Sequence, residues 1–516
     1  MTGLSRRDFL KLAAAVTASI GFTRSKPTYK LLPSSDSSKP GIIILLFDAM
    51  SARHLSLYGY SKETTPNLER FAQRATVYHS HYAGGSFTTP GTSSILMGMY
   101  PWSHRAINFG GLIKRNLVNQ NIFSLIGDEY YRVAFTENLW ADLFLRQFKS
   151  ALEDHIAPTT FEYKSKTMNP FLGSANLPDS DMIYYAFNQF LLTGDGQDPG
   201  TWPGSPSFGF MDYAQVYESR GLDESSAEYP YGLPYNNLYY FQIPQVLPGV
   251  ANQILQLTRK PSPLFGYFHL WSPHEPLRPR AEFVNKFPIL PLIDKPQHPL
   301  SSNQLSSVDY ASTVKLYDEY IADIDDGFGE LLDQFTNAGV LDNNYLIITS
   351  DHGQLYERGE VGHSTSLLFD SVIRVPLLIS APGVTTHRDV YVPTSAIDVL
   401  PTLLSLAGRQ VPAGLEGKLL PGFGGQEDLN RSVFSMDAKY DSAFRPFTNA
   451  TIAMIKGNMK LIYYLGYASY PERFELYNLN DDLDELDDLT NKEFVIASQM
   501  KQELLDALNV ANQPFM

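Results

Sequence analysis

Three short segments of the chain carry side chains that could do chemistry together. A lone carboxylate, Asp48, ends one apolar run, a hydroxyl-rich turn starts at Thr88, and the pair Asp351-His352 follows a second apolar run. Two carboxylates, an imidazole and a hydroxyl can form a compact site for a divalent metal ion. Such an ion would lower the pKa of the hydroxyl and polarise an ester oxygen. The three segments together therefore indicate a metal-activated hydroxyl that could act on an ester.

Each of these segments alone has a simpler structural explanation. An aspartate after a strand commonly forms a turn or caps a helix, Asp-His-Gly is commonly a turn, and Thr-Thr-Pro commonly only begins a helix. The order of all three along the chain is what favours a shared site. A helix starting at Pro90 would also favour an anionic group beside Thr88, because helix N-termini attract negative charge.

The elements that would position these residues alternate between strands and helices. Gly41–Phe47 is a continuous apolar run, the pattern of a strand buried on both faces of a parallel sheet. Helical spacing of apolar residues predicts one long amphipathic helix across Tyr317–Phe335. Further strands are predicted at 132–136, 265–270, 345–349 and 375–380, and helices begin near Pro66 and Pro90. This alternation predicts a mostly parallel α/β sheet, in which ligands bind beyond the carboxyl ends of the strands.

The remaining segments predict the domain organisation. The catalytic α/β domain is expected to span 41–430, and 195–245 within it, rich in Gly, Pro, Tyr and Asp, is predicted to be an insertion near the substrate cleft. Short strands and a final helix at 492–510 predict a small C-terminal α+β subdomain over 431–516.

The first residues predict export from the cytoplasm. Paired arginines, Arg6 and Arg7, precede a short apolar run at 12–22, which is the twin-arginine pattern. Residues 1–30 are therefore predicted to be a signal for the twin-arginine export machinery or a retained membrane anchor, followed by a linker at 31–40. The expected location is the periplasm, the cell envelope or the extracellular space.

Charge and cysteine content limit the partners and the chemistry. The formal net charge of −15 argues against a nucleic-acid partner, whose phosphates an acidic protein repels. It says little about a small anionic substrate, which responds mainly to local charges. The chain has no cysteine, which excludes disulfides, thiolate metal ligands and cysteine catalysis.

Several motifs, in consistent order over residues 41–490, resemble those of the sulfatases. They include Thr64-Thr65-Pro66-Asn67-Leu68, Thr88-x-Pro90, Met97-Gly98-x-Tyr100-Pro101, Thr349-Ser350-Asp351-His352-Gly353, Gly362-His363, Arg374-Val375-Pro376-Leu377 and Glu475-Leu476-Tyr477-Asn478-Leu479. The resemblance implies the alkaline-phosphatase-like fold, an α/β three-layer sandwich with a mostly parallel central sheet and a small C-terminal α+β subdomain.

The resemblance also implies a metal site and a nucleophile. Asp48, Asp351 and His352 match the family's metal-ligand positions. Thr88 matches the position of the formylglycine that sulfatases make from Cys or Ser. Threonine is instead the nucleophile in related phosphotransferases and nucleotide phosphodiesterases. Thr88 is therefore predicted to be both the nucleophile and a metal ligand.

Two histidines resemble catalytic residues of the family. His274, in the sequence Pro273-His274-Glu275-Pro276, resembles a substrate-contacting histidine. His363 resembles a second histidine that serves the substrate or the leaving group. One of them, His274 or His363, is predicted to assist the leaving oxygen as an acid, although a lone histidine after a strand is more often structural.

The departures from the family pattern concern positive charge. Thr92 stands where sulfatases place an arginine, and Glu137-Asn138 and Ser364 stand where they place lysines. A monoanionic diester needs less positive charge than a sulfate or phosphate monoester, so the departures favour phosphodiesters or phosphonate esters. Ser272 stands where a second-metal aspartate would help, which favours one divalent ion. A histidine ligand favours Mn²⁺ or Zn²⁺ over Ca²⁺ or Mg²⁺.

The leading hypothesis is a hydrolase of sulfate, phosphate or phosphonate esters that acts on a small molecule, a glycan or a lipid headgroup. A phosphotransferase acting on an envelope lipid or glycan is an alternative, because an acceptor alcohol could replace water. The missing cations motivate a second alternative, a catalytically degenerate binding protein. A third is a true sulfatase whose anion is held by Arg53, Arg105 or Arg358.

Overall fold

The computed structural model describes residues 39–161, 227–234, 241–301, 309–471 and 473–516. The predicted export segment at 1–30, and most of the predicted linker and insertion, lie outside these residues. No helix in the described ranges is both long enough and apolar enough to cross a membrane.

Strands and helices alternate along most of the described chain. The strands are β1 Gly41–Phe47, β2 Thr76–Tyr78, β3 His81–Tyr82, β4 Tyr131–Thr136, β5 Asp154–His155, β6 Leu264–Leu270, β7 Asn344–Thr349, β8 Leu355–Glu357, β9 Glu360–Gly362, β10 Leu377–Ser380, β11 Arg388–Val390, β12 Thr394–Ser395, β13 Ser432–Asp437, β14 Ala450–Lys456, β15 Met459–Leu465 and β16 Arg473–Asn478. The α-helices are α1 Pro66–Ala72, α2 Thr88–Met97, α3 Pro101–His104, α4 Ile122–Ile126, α5 Leu139–Gln147, α6 Ile243–Leu257, α7 Tyr310–Asn337, α8 Val340–Asn343, α9 Asp370–Ile373, α10 Val399–Leu406 and α11 Phe494–Asn512.

An eight-stranded sheet forms the centre of the molecule, in the order β11-β2-β10-β7-β1-β6-β4-β5. Strand β1 pairs in parallel with both β6 and β7, and β6 pairs in parallel with β4. Strand β10 runs antiparallel to β7 and to β2. The carboxyl ends of β4, β6, β1 and β7 therefore meet at one edge of the sheet, where the sequence places its polar motifs.

Both faces of this sheet are covered, because the side chains of β1 alternate between them. Ile43, Leu45 and Phe47 pack on one face with residues of α6 and α7, whereas Ile42 and Leu46 pack on the other with residues of α2 and α10. Each fully buried aliphatic side chain contributes about 1.5–3 kcal/mol to folding. The three-layer α/β arrangement with a mostly parallel sheet confirms the predicted fold class.

The C-terminal residues form a second, smaller sheet. Its strands stand in the order β13-β14-β15-β16, and all neighbours are antiparallel. Helix α11 covers one face through Met500, Leu504 and Leu508. The other face packs on Leu367, Leu368 and their neighbours in the catalytic domain. This packing brings the end of β13 next to the loop that carries Thr88.

Candidate active site

Four side chains converge at the carboxyl edge of the parallel strands. Asp48 follows β1, Asn138 follows β4 and Asp351 follows β7, whereas His269 lies inside β6. The parallel register sets Leu46 of β1 opposite both His269 and Thr349, so the residues just beyond become neighbours. All four polar side chains are buried, and each is 1% exposed or less.

The two carboxylates and His269 form a group that could hold a metal ion. One ligand atom from each of Asp48, His269 and Asp351 lies within 4.8 Å of the others. Oδ1 of Asp48 is buried and has no hydrogen-bond donor among the described residues. A buried carboxylate oxygen without a donor is costly unless a cation satisfies it. The residues present therefore fit a divalent ion.

His352 borders the same carboxylates. Its Nε2 lies 3.3 Å from Oδ1 of Asp48 and 3.6 Å from Oδ2 of Asp351. Its Nδ1 donates to the carbonyl oxygen of Gly353 at 3.0 Å. Since a carbonyl can only accept, this bond places the proton of the neutral ring on Nδ1 and leaves Nε2 with a free lone pair. That tautomer is the one a metal-binding histidine requires.

The electrostatics of this centre are those of a cation site. Burial opposes ionisation of Asp48, but His274, His269 and His352 hold its pKa well below its usual range. Burial and the charge of Asp48 raise the pKa of Asp351. Burial lowers the pKa of His352, yet Asp351 and Asp48 overcome it and raise that pKa to about 9. The two carboxylates thus favour positive charge at His352, as they would favour a bound cation.

Thr88 is the first residue of α2 and points its hydroxyl at this centre. Oγ1 lies 3.4 Å from Nε2 of His352, and Nδ2 of Asn138 donates to it at 3.1 Å. The same Asn138 amide also donates to Oδ2 of Asp48. The sequence pattern predicted a helix beginning near Pro90. The helix begins at Thr88 instead, so the hydroxyl lies at the helix N-terminus.

The first turn of α2 packs directly on Asp351. Oγ1 of Thr92 donates to Oδ2 of Asp351 at 3.1 Å. A Cβ at Gly91 would overlap the carbonyl oxygen of Asp351, so only glycine allows the helix to approach this closely. Thr92 thus hydrogen-bonds a carboxylate of the centre.

His363 stacks on His352, and His274 meets His363 edge-on. The ring centroids of His274 and His363 are 4.5 Å apart, and those of His352 and His363 are 4.4 Å apart. Nδ1 of His274 donates to the carbonyl of Glu275 at 2.8 Å, and Nδ1 of His363 contacts Oε1 of Gln354 at 3.2 Å. Burial lowers the pKa of both rings, that of His363 well below its usual range. Each ring is therefore neutral at neutral pH and presents Nε2 as a proton acceptor.

Two residues of the site were not predicted from the sequence. His269 interrupts the apolar run of β6, and its Nε2 lies 3.1 Å from Oδ2 of Asp48. Asn138 looks like a helix cap, and its Oδ1 does accept from the amide of Trp140 at 2.8 Å. The signal for His269 was a single imidazole in an otherwise apolar strand. Asn138 gave no signal beyond its place after a strand.

Neighbouring Glu137 is also buried. It accepts a hydrogen bond from the amide of Trp271 at 2.8 Å, and burial raises its pKa to about 7. No positive charge therefore stands at 137 or 138, as the sequence comparison with the sulfatase pattern indicated.

The three arginines considered as an anion clamp are bound elsewhere. Arg53 pairs with Asp484 at 2.9 Å. Arg358 donates to the carbonyls of Asp484 and Glu485 at 2.7 and 2.6 Å. The guanidinium of Arg105 lies over the rings of Phe447 and Phe515, at 3.9 and 3.5 Å from the centroids. These contacts commit all three to the packing of the C-terminal residues.

The sulfatase family model matches residues 40–409 of the chain. This protein belongs to the sulfatase family. Membership confirms the resemblance and identifies the protein as an ester hydrolase. A second model, for the C-terminal part of N-sulphoglucosamine sulphohydrolase, matches residues 359–510.

Full-length relatives agree with this assignment. The chain is 22% identical over 468 residues to a choline-sulfatase of Rhizobium meliloti (strain 1021), covering 88% of this chain and 83% of that protein. It is 24% identical over 526 residues to a sulfatase of Formosa agariphila, covering 92% and 88%. The match to arylsulfatase K of Bos taurus is 29% identical but spans only 36% of this chain and 35% of that protein.

Solved structures share the fold. The phosphonate monoester hydrolase of Agrobacterium radiobacter superposes with a TM-score of 0.64 at 19% identity, covering 92% of this chain and 96% of that one. The phosphonate monoester hydrolase of Silicibacter pomeroyi gives the same TM-score of 0.64 at 16% identity, covering 92% and 96%. At these identities the likeness concerns the fold.

Proposed function

We propose that this protein is a metal-dependent hydrolase of sulfate, phosphate or phosphonate esters in which Thr88 is the nucleophile. The observation that carries the proposal is the position of its hydroxyl. Oγ1 of Thr88 lies 3.1 Å from Nδ2 of Asn138 and 3.4 Å from Nε2 of His352, next to two buried carboxylates. The names of the relatives, a choline-sulfatase among the curated proteins and phosphonate monoester hydrolases among the structures, support both ester classes.

Asp48, Asp351 and His352 would hold one divalent ion, with Thr88 beside it and His269 as a further nitrogen donor. When bound, the ion would supply Lewis-acid polarisation of the ester oxygen and a lower pKa for the threonine hydroxyl. Mn²⁺ or Zn²⁺ suits a site of carboxylate and imidazole ligands.

The chain's own residues account for the proton movements. Asn138 fixes Oγ1 of Thr88, and a neutral imidazole, His274 or His363, takes up the hydroxyl proton through Nε2. A bond forms between Oγ1 and phosphorus or sulfur, and the ester bond to the alcohol breaks. The protonated imidazole then returns the proton to the leaving oxygen. Water releases the acid from Thr88 in a second displacement and regenerates the hydroxyl.

Substitution at position 88 tests the nucleophile. We expect Thr88→Ala to lower turnover of an aryl phosphonate or phosphate diester by at least a thousandfold while the divalent-metal content stays close to that of the wild type. Thr89→Ala is the matched control, since Thr89 is adjacent and buried but its hydroxyl has no partner among the described residues. Undiminished turnover by Thr88→Ala would reject the assignment.

A panel of substrates decides the ester class. Aryl sulfate, aryl phosphate, a phosphodiester and an aryl phosphonate are offered to the enzyme with Mn²⁺, Zn²⁺ or Ca²⁺. Because Thr92, Asn138 and Ser364 bring no cation, we expect monoanionic diesters and phosphonates to be hydrolysed faster than sulfate or phosphate monoesters. An acceptor alcohol that diverts the product from free acid to a new ester would indicate a transferase. Stoichiometric metal with no turnover of any ester would indicate a binding protein.

We further propose that the protein is exported through the twin-arginine pathway. Arg6 and Arg7 precede the apolar run at 12–22. Because this pathway carries folded proteins, the enzyme would acquire its metal before export. Replacing both arginines by lysine should keep the protein in the cytoplasm. Equal periplasmic amounts of the variant and the wild type would contradict this assignment.

A further inference from the structure

A lysine of the C-terminal subdomain reaches the active-site edge of the catalytic domain. Lys439 lies two residues beyond β13 and is 7% exposed. Its Nζ donates to the carbonyl oxygen of Ser364 at 3.0 Å, and Ser364 directly follows His363. The subdomain therefore delivers a buried ammonium group to the turn that carries an active-site histidine.

This contact is part of a continuous junction between β13 and the loop before Thr88. The amide of Met436 donates to the carbonyl of Gly84 at 2.9 Å. On the other side, Oγ of Ser86 donates to the carbonyl of Thr365 at 3.0 Å. The turn at 363–365 thus bridges Lys439 and the nucleophile loop, which fixes the ammonium relative to the site.

The hydrogen bonding of Lys439 is incomplete for a buried cation. An ammonium has three N–H donors. Among the described residues its acceptors are the Ser364 carbonyl and Oδ2 of Asp437, the latter at a long 3.4 Å. That same oxygen also accepts from Oγ of Ser366 at 3.1 Å. Its Nζ also lies 5.3 Å from the centroid of the Tyr440 ring, and at least one N–H of Lys439 has no acceptor among the described residues.

The contact with Ser364 places the charge of Lys439 next to the histidine cluster. Ser364 directly follows His363, whose ring centroid lies 4.5 Å from that of His274 and 4.4 Å from that of His352. The other cations considered as a clamp are committed elsewhere, because Arg53 pairs with Asp484 and Arg358 binds backbone carbonyls. Lys439, by contrast, hydrogen-bonds the turn that carries His363.

We propose that Lys439 is the substrate-binding cation of this enzyme, donating to a non-bridging oxygen of the sulfate, phosphate or phosphonate group. The side chain at position 364 is an uncharged serine. Lys439, from a different part of the chain, brings a positive charge to the same turn. The inference rests on the proposed function in that the bound oxyanion is the group that Thr88 attacks.

Binding of inorganic phosphate, a product analogue, tests this role without turnover. Titration calorimetry on the full-length, Mn²⁺-loaded protein compares the wild type with Lys439→Met, Lys439→Arg and Lys456→Met. We expect Lys439→Met to raise the Kd for phosphate by about tenfold or more, since a charge-assisted hydrogen bond is lost. Lys439→Arg should restore most of the affinity. Lys456→Met is the matched control, because Lys456 ends the neighbouring strand β14 but pairs with Glu503 at 2.6 Å.

A second variant separates binding from folding. Lys439→Met leaves Asp437 without its cation, so the double variant Asp437→Asn/Lys439→Met restores a neutral pair and should melt close to the wild type. Wild-type phosphate affinity in the single or double variant would overturn the proposal. The result is independent of the nucleophile: full turnover by Thr88→Ala would reject the proposed mechanism while the dependence of phosphate affinity on Lys439 would still stand.

Discussion

Nε2 of His352 lies 3.3 Å from Oδ1 of Asp48, while Nδ1 of the same ring donates to the carbonyl of Gly353 at 3.0 Å. In the neutral ring two lone pairs therefore face each other in a buried site. Either a proton or a metal ion must lie between them, because two unshared acceptors at this distance repel. A metal-binding histidine typically donates its other ring N–H to a backbone carbonyl, as His352 does.

Metal loading should stabilise the folded protein. A ligand that binds only the folded state at a hundredfold excess over its Kd adds about 2.7 kcal/mol, so we expect the Tm of chelator-treated protein to rise when Mn²⁺ or Zn²⁺ is added. Asp48→Asn should abolish the rise, because the buried carboxylate of Asp48 supplies a negatively charged ligand oxygen to the candidate metal group. Asp389→Asn serves as the control, since Asp389 lies in the outermost strand β11, where it pairs with His79 and His387. An equal metal-dependent rise in Asp48→Asn would contradict the assigned ligand.

Asn138 hydrogen-bonds the nucleophile Thr88 and the carboxylate of Asp48, and it also caps helix α5. The hydrogen bonds and the cap can be tested separately. Asn138→Ser keeps a capping oxygen for α5. The serine side chain has no amide and is too short to reach Thr88 and Asp48. We expect turnover to fall about a hundredfold, the scale of losing one preorganised donor, while the Tm changes little. Asn121→Ala is the complementary control, because Asn121 caps α4 through the amides of Phe123 and Ser124. Asn121→Ala should lose stability and keep its turnover number. If Asn138→Ser likewise lost stability and kept its turnover number, Asn138 would act only as a cap.

The parallel sheet and the positions of Asp48 and Asp351 follow from local pattern. An apolar run marks a buried strand, and a polar residue at its carboxyl end must lie at the sheet edge. The predicted strand at 41–47 coincides with β1, and the other predicted strands of this sheet differ from the structure by one or two residues at their starts. These features depend on residues close together in sequence.

His269 and Lys439 depend on contacts that no local pattern contains. His269 is an inward-facing residue of a strand, and only the register of β6 against β1 sets it beside Asp48. Lys439 meets Ser364 across 75 residues of sequence, through the packing of one sheet on another domain. The sequence pattern correctly showed that position 364 lacks a cation, but it could not show which residue lies next to it.

The close approach of α2 to the metal centre depends on Gly91. A Cβ there would overlap the carbonyl oxygen of Asp351, so Gly91→Ala must displace the helix or the carboxylate. We expect a loss of about 1–3 kcal/mol in unfolding free energy, as for overpacking elsewhere, together with weaker metal binding. Gly414→Ala is the control, because the nearest atom to a Cβ at 414 is 4.0 Å away. Wild-type metal affinity in Gly91→Ala would show that the contact does not position Asp351.

Acid should weaken the C-terminal subdomain through Glu475. Its carboxylate accepts from the hydroxyls of Tyr464, Tyr470 and Tyr477 at 3.0, 2.8 and 2.9 Å. Burial raises its pKa, but the hydrogen bonds from His298 and the tyrosines outweigh this and lower it. A carboxyl whose pKa is lower in the folded state stabilises the protein above its unfolded pKa of about 4.3, and this stability is lost as the pH falls further.

Substitution by glutamine tests the link between Glu475 and acid sensitivity. Glu475→Gln removes the charge and one acceptor oxygen, so we expect its unfolding free energy at pH 7 to be lower by about 1–3 kcal/mol. Between pH 6 and pH 3 the variant should lose less stability than the wild type, because the titrating group is gone. Urea unfolding across this range measures both effects. Glu427→Gln, which alters a half-exposed pair with Arg388, should follow the wild-type curve, and an equally steep acid dependence in Glu475→Gln would place the acid-sensitive group elsewhere.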